Sequence, residues 1–318
     1  MIEIRRVLCP TDLSDIAPRA FDHALALARF HQAEVELAYV SEPLLPGPVA
    51  PASYPPWAVL DPAVRGRLQS ALEALAAPAR AVGVPVRFGV YEGRVVAEIL
   101  DRAHGWPADV LVMGTHGRGG FERWVLGSVT EKVLRKAPCP VLTVPPPAGG
   151  PHPSGAVLFR TIVCPVDFSE ASLAALDHAL KLAEESSAEI TVLHVLECLV
   201  EDEPGARIAG FDVPEFRRYL EKDARERLRG VVPQEAGDWC RPRQEVVGGR
   251  PWREILRVAE ERQADLVVMG VRGRNPVDMV LFGSTTHQVV RGARCPVLVV
   301  HKEPLDRLGA PVTAPSGP

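Results

Sequence analysis

Aromatic residues are scarce in this 318-residue chain, at 6% of the total, so its cores must be filled with aliphatic side chains. A basic excess is also lacking. Thirty-six Lys and Arg stand against 40 Asp and Glu, a net charge of −4, which removes the electrostatic footprint of a nucleic-acid binder. The two long uncharged stretches, 43–60 and 137–159, carry six and seven prolines, and neither can form a membrane-spanning helix. Arg5 and Arg6 precede only a short apolar run that stops at Pro10. That is too short for a signal-peptide core, so a cytoplasmic location is expected. None of the six cysteines forms a Cys-x-x-Cys pair and four directly precede Pro, a pattern of buried structural thiols in a reducing compartment. A P-loop, a Gly-x-Gly-x-x-Gly turn after the first strand, a Gly-x-Ser-x-Gly elbow and a His-Glu-x-x-His helix are all missing. No dedicated catalytic residues and no metal ligands are therefore expected.

What is present is one module written twice. Cys9-Pro10-Thr11-Asp12-Leu13-Ser14 recurs as Cys164-Pro165-Val166-Asp167-Phe168-Ser169, 155 residues on. Val112-Met113-Gly114, Gly127-Ser128 and Cys139-Pro140-Val141-Leu142 recur 156 residues on. The length also exceeds what one core supports. The expected division is a first domain over 1–146, a Pro/Gly-rich exposed linker over 147–156, a second domain over 157–302 and a disordered tail over 303–318. The first 155 residues are charge-balanced and the remainder carries the whole net −4.

Apolar runs at 4–9, 35–40, 84–90, 109–113 and 141–144 read as strands, with counterparts in the second copy. Helical periodicity lies between them, with Ser14 and Ser169 in N-cap positions. Alternating strands and helices predict an α/β chain of two tandem doubly wound domains, each a five-stranded parallel sheet flanked by helices. Ligands in such sheets bind beyond the strand carboxyl ends, where strand order reverses.

The fourth strand of each module feeds a glycine-rich loop. The first copy reads Gly114-Thr115-His116-Gly117, nine residues, then Gly127-Ser128; the second reads Gly270-Val271-Arg272-Gly273, nine residues, then Gly283-Ser284. Glycines let backbone N–H groups approach an anion, and a helix start adds partial positive charge. Hydroxyls of Ser128, Thr130, Ser284 and Thr286 can add donors. Glycine's service in tight turns is the competing reading of this loop. His23 and His178 are read as packing or surface residues.

The pattern Gly-x2-Gly-x9-Gly-Ser, the Cys-Pro-x-Asp-x-Ser start and the closing Ala-Pro-Cys-Pro-Val-Leu-Thr-Val run resemble the universal stress protein family, over about 1–146 and 157–302. The resemblance implies an adenine nucleotide α-hydrolase-like fold with an ATP pocket, with or without Mg2+, in each half. Pro10, Thr11, Asp12 and Val40 would surround the adenosine, as would Pro165, Val166, Asp167 and Val195, and Met113 and Met269 would belong to the same nucleotide sites. Gly114, Gly117, Arg118, Gly127, Ser128, Val129 and Thr130 would hold ribose and phosphates, matched by Gly270, Gly273, Arg274, Gly283, Ser284, Thr285 and Thr286. Asp12 and Asp167 are also the residue type that caps local turns. The implied function is a stress-response sensor or regulator with an unknown protein partner and at most slow ATP hydrolysis. A nucleotide-free scaffold or chaperone, and an adenylate-transferring enzyme, are the alternatives. The resemblance further implies pairing of the two closing strands within one chain, and allows association of two chains. Pro276 and an acidic stretch at 197–203 predict weaker ATP binding in the second half.

Overall fold

The computed structural model describes residues 2–42, 60–115, 126–150, 158–197, 213–240, 242–271 and 283–301. The first half runs β1 (Arg6–Thr11), α1 (Ala17–His31), β2 (Glu34–Ser41), α2 (Pro62–Val82), β3 (Val86–Glu92), α3 (Val95–Gly105), β4 (Val110–Gly114), α4 (Ser128–Lys136) and β5 (Val141–Val144). The second half runs β6 (Thr161–Pro165), α5 (Glu170–Ser186), β7 (Glu189–Leu196), α6 (Val213–Val231), a short α7 (Ala236–Trp239), β8 (Arg243–Gly248), α8 (Pro251–Glu261), β9 (Leu266–Gly270), α9 (Ser284–Gly292) and β10 (Val297–Val300).

Each half forms the expected parallel sheet, ordered β3-β2-β1-β4-β5 and β8-β7-β6-β9-β10. The order reverses between β1 and β4, and between β6 and β9. The two sheets are continuous, because β5 and β10 pair antiparallel within the chain. One ten-stranded sheet results, parallel except at that central seam.

The central strands explain the duplication's strongest apolar runs. All five residues of β9 are buried, as are four of the five in β4, since helices cover both faces. One core face gathers Phe21, Leu37, Leu72, Ile162 and Leu228; the opposite face gathers Leu8, Leu111, Leu134, Val267 and Val289. Each face therefore mixes side chains from both halves. Every Leu buried this way contributes about 1.5–3 kcal/mol of transfer free energy.

Helix ends show where local chemistry governs. Ser169 caps α5, its Oγ accepting the Ser172 N–H at 3.2 Å. Its counterpart does not do so: α1 begins at Ala17, and Ile16 occupies the N-cap position without a side-chain bond. Both serines give their N–H to the preceding aspartate's Oδ1 at 3.0 Å; what differs is that the Ser14 carbonyl accepts the Ala17 N–H in a turn ahead of the helix. At the other ends, Gln32 and Ser187 occupy equivalent left-handed C-caps, with φ of 56° and 52°.

The beginning of the linker is exposed at Pro147, Gly149 and Gly150, yet it is tied back onto α1. The Arg19 guanidinium donates to the Pro146 carbonyl and, at 3.2 Å, to the Ala148 carbonyl. His23 Nε2 lies 3.1 Å from the Gly149 carbonyl, and Ala148 is buried. Since a carbonyl only accepts, the His23 proton sits on Nε2. Residues 151–157 and the expected disordered tail at 303–318 lie outside the described residues.

Candidate functional site

The second half carries a cleft of about 480 Å³ at its switch point, the size of a small-molecule pocket. Pro165, Val166 and Asp167 line it from the end of β6, and Met269 and Gly270 from the end of β9. Val195 lines it from β7, and Gly283, Ser284, Thr285 and Thr286 from the start of α9. The structure thus brings these ten sequence-predicted residues together. Gly273 and Arg274 lie outside the described residues, as do Gly117 and Arg118 of the first copy.

The first-half set occupies the same places in its own half. Pro10 and Thr11 end β1, Asp12 follows, Val40 lies near the end of β2, and Met113 and Gly114 end β4. Gly127 is the N-cap of α4, and Ser128, Val129 and Thr130 form its first turn.

Local geometry shows how the strand-to-helix turns are built. Asp167 Oδ1 accepts the Ser169 N–H at 3.0 Å and the Ser169 hydroxyl at 2.6 Å. Asp12 Oδ1 accepts the Ser14 N–H in the same way, so both aspartates cap their turns. Leu13 and Phe168, which follow them, have φ of 57° and 63°. Such left-handed backbone at a non-glycine residue is uncommon and costs energy.

At the phosphate-like end, the hydroxyls of Thr130 and Thr286 donate to the carbonyls of Gly114 and Gly270, both at 2.9 Å. Their protons are spent on tying the helix start to the strand end. Ser128, Ser284 and Thr285 are left as the hydroxyls of the outer first turn. The N-cap carbonyls of Gly127 and Gly283 accept from Glu131 and His287, and the N–H groups before these have no partner within the helix. Those N–H groups and the helix dipole favour an anion there.

Gly270 has a second reason to be glycine. A Cβ there would sit 2.7 Å from the Ala171 backbone, at the start of α5. Close packing of β9 on α5 therefore requires this glycine independently of any ligand.

Sequence reasoning missed Ser172, Leu193, His194, Leu196, Pro251 and Ile255, all of which line the cleft. Ser172 stands where the first copy has Ala17, and His194 where it has Tyr39, so comparison of the copies finds no shared signal for them. Pro251 and Ile255 are one turn apart on α8, a spacing that could have flagged them. Glu197, counted in the acidic stretch, lines the cleft as well. Its counterpart is Glu42, so this acid does not distinguish the halves. The remaining acids of the stretch, Glu201, Asp202 and Glu203, lie outside the described residues.

Among the described residues no cysteine lines the cleft. Burial pushes the Cys9 thiol up to about 12 and raises that of Cys164 as well, so both stay protonated and unreactive near neutral pH.

Comparison with known proteins matches this geometry to a family. The model of the universal stress protein family matches residues 3–145 and again 158–301. Universal stress protein MJ0531 of Methanocaldococcus jannaschii is 34% identical over 150 residues, covering 47% of this chain and 86% of that protein. Universal stress protein Rv2005c of Mycobacterium tuberculosis is 31% identical over 199 residues, covering 61% of this chain and 62% of that relative. The fold matches a crystal structure of a universal stress protein from Archaeoglobus fulgidus with a TM-score of 0.62, 22% identity and coverage of 93% of this chain and 96% of that one. With both halves matched along nearly their whole length, the chain belongs to the universal stress protein family, as a tandem member.

Proposed function

We propose that the chain binds an adenine nucleotide, ATP with or without Mg2+, in the switch-point cleft of each half, and acts as a stress-response regulator with at most slow hydrolysis. One observation carries this reading: a carboxylate turn, Asp167, and a helix start bearing Ser284 and Thr285 line one cleft together with the apolar side chains of Val166, Val195, Ile255 and Met269.

Each part suits a different piece of a nucleotide. Val166, Val195, Ile255 and Met269 offer apolar surface for a purine. Asp167 can accept from ribose hydroxyls. The first-turn N–H groups of α9 and the Ser284 hydroxyl would hold phosphate oxygens. Asp167 and Glu197 are the carboxylates of the lining that suit Mg2+, which when bound offsets phosphate charge. The nucleotide-loaded state would set the conformation of the adjacent loops and hence the surface offered to a protein partner.

Two measurements test the proposal. Protein purified without added nucleotide is denatured, and the released small molecules are identified by mass spectrometry; an adenine nucleotide is expected. In a chain whose second site is disabled, Gly127→Val or Ser128→Ala is expected to weaken ATP binding at the first site. Release of no adenine nucleotide, together with no affinity for added ATP, would leave the nucleotide-free scaffold as the better reading.

A further inference from the structure

The two carboxylate turns differ in how firmly they are held. We propose that the second-half cleft is the pre-organised and tighter nucleotide site, and that His194, Ser169 and Ser172 are the positioning residues that make it so. The inference rests on the nucleotide reading above.

In the second half the Asp167 turn is tied at every residue. Ser169 donates twice to Asp167 Oδ1, through its N–H at 3.0 Å and its hydroxyl at 2.6 Å. Ser172 Oγ accepts the Asp167 N–H at 3.3 Å and donates to the Ser169 carbonyl at 2.9 Å. His194 Nδ1 lies 2.7 Å from the Val166 carbonyl. Because a carbonyl can only accept, the imidazole carries its proton on Nδ1 and clamps the turn from β7.

The strained residue of the turn is held as well. Phe168, at φ 63°, packs against the His194 ring with centroids 4.7 Å apart and planes tilted by 41°, while the Arg227 guanidinium of α6 lies 4.0 Å from the Phe168 ring centroid. Arg227, Phe168 and His194 thus form a line of contacts from α6 to the cleft wall.

The first copy has the same backbone turn with a different side-chain set. Leu13, at φ 57°, replaces Phe168 and has no ring to stack. Ala17 replaces Ser172 and has no hydroxyl, Tyr39 replaces His194, and the turn keeps two side-chain bonds of its own, Asp12 Oδ1 accepting the Ser14 N–H and Thr11 Oγ1 accepting the Leu13 N–H at 3.1 Å. A wall already fixed in its binding geometry loses less conformational freedom when a ligand docks, and the ordering cost saved appears as affinity. This reverses the expectation drawn from Pro276 and the acidic stretch.

The test uses the full chain. Gly127→Val leaves the second site to bind alone, and Gly283→Val leaves the first; each is titrated with ATP. The chain retaining the second site is expected to bind more tightly by about two- to tenfold, the yield of one net hydrogen bond. In that chain, His194→Leu and Ser172→Ala are expected to erase the difference. His194→Asn, whose side-chain N–H reaches the Nδ1 position, restores it. Amide exchange in the ligand-free, otherwise unsubstituted chain supplies a readout independent of nucleotide. Residues 166–172 should be more protected than 11–17, with protection lost in His194→Leu and kept in His194→Asn. Equal affinities, a tighter first site, or a His194→Leu chain unchanged in both readouts overturns the inference while leaving the nucleotide reading intact. If the unsubstituted chain binds no adenine nucleotide, that reading falls, and this inference with it.

Discussion

Leu142 and Leu298 hold the same position in the two copies, 156 residues apart, and face each other directly across the antiparallel β5–β10 pair. A pseudo-two-fold axis must pass through that pair. Val141 faces Val299 and Thr143 faces Val297 on either side of it. Side chains break the symmetry: Thr143 Oγ1 donates to the Val297 carbonyl at 3.1 Å, where the second copy has Val299 and no hydroxyl, and His301 Nε2 lies 2.7 Å from the Leu134 carbonyl, where the first copy has Pro145.

A shared seam predicts shared unfolding. Leu142→Ala should cost about 2–5 kcal/mol, the usual range for a truncated buried Leu. The whole chain should then unfold in one transition at lower urea, followed by circular dichroism. Two separate transitions, with only the first half shifted, would contradict this.

Glu36 is fully buried on β2 and serves two cations at once. Arg87 Nη2 approaches its Oε2 at 2.5 Å and Arg102 Nε its Oε1 at 2.5 Å, while the Tyr91 hydroxyl donates to Oε1 at 3.0 Å. Thr191 occupies this place in the second half. Glu36→Ala strips two partly exposed cations of their anion and should destabilise the chain by about 1–3 kcal/mol. Thr191→Ala should cost far less. The two urea midpoints check the contrast.

Gly270→Ala should disturb the second half selectively, since its Cβ would collide with the Ala171 backbone at 2.7 Å. A penalty of about 1–3 kcal/mol is expected from overpacking. Amide exchange is expected to rise in β9 and at the start of α5 while β4 and α1 stay protected. Equal rises in both halves would refute the local steric account.

Two histidines with buried rings predict a pH dependence. Burial pushes the His23 and His31 pKa values below 6.5, and for His31 the nearby Glu185 carboxylate only partly opposes this. The unfolded chain therefore binds more protons than the folded one just below that value, and stability falls as pH falls. The loss begins at the unfolded pKa and levels off below the folded pKa. The thermal midpoint should drop between about pH 7.5 and about pH 5.5, and His23→Gln, which keeps a donor for the Gly149 carbonyl, should flatten part of that slope.

Much of the fold and part of the site are legible in the amino-acid sequence. The period of apolar residues in α1 and the unbroken apolar runs of β4 and β9 follow from burial on one face or two. The Gly127-Ser128 and Gly283-Ser284 pairs mark helix starts, because a helix's first turn has its own chemistry. Ser14 misleads as a cap: Asp12 takes its N–H as Asp167 takes that of Ser169, and only in the second half does the serine hydroxyl accept a helix N–H, that of Ser172. Thr130 and Thr286 resemble ligand donors by position, yet their hydroxyls reach back 16 residues to the Gly114 and Gly270 carbonyls.

The amino-acid sequence by itself determined the duplication, the alternating strands and helices, the apolar central strands and the glycine-led helix starts, since each depends on interactions between residues close along the chain or on a repeat visible by eye. Only the tertiary structure decided that Arg19 and His23 hold the start of the linker, and that Leu142 meets Leu298. It alone brought His194 and Arg227 against Phe168, and Ala171 against Gly270. Those contacts join residues far apart in sequence, and their strength depends on distances and burial that arise only once the ten strands have assembled into one sheet.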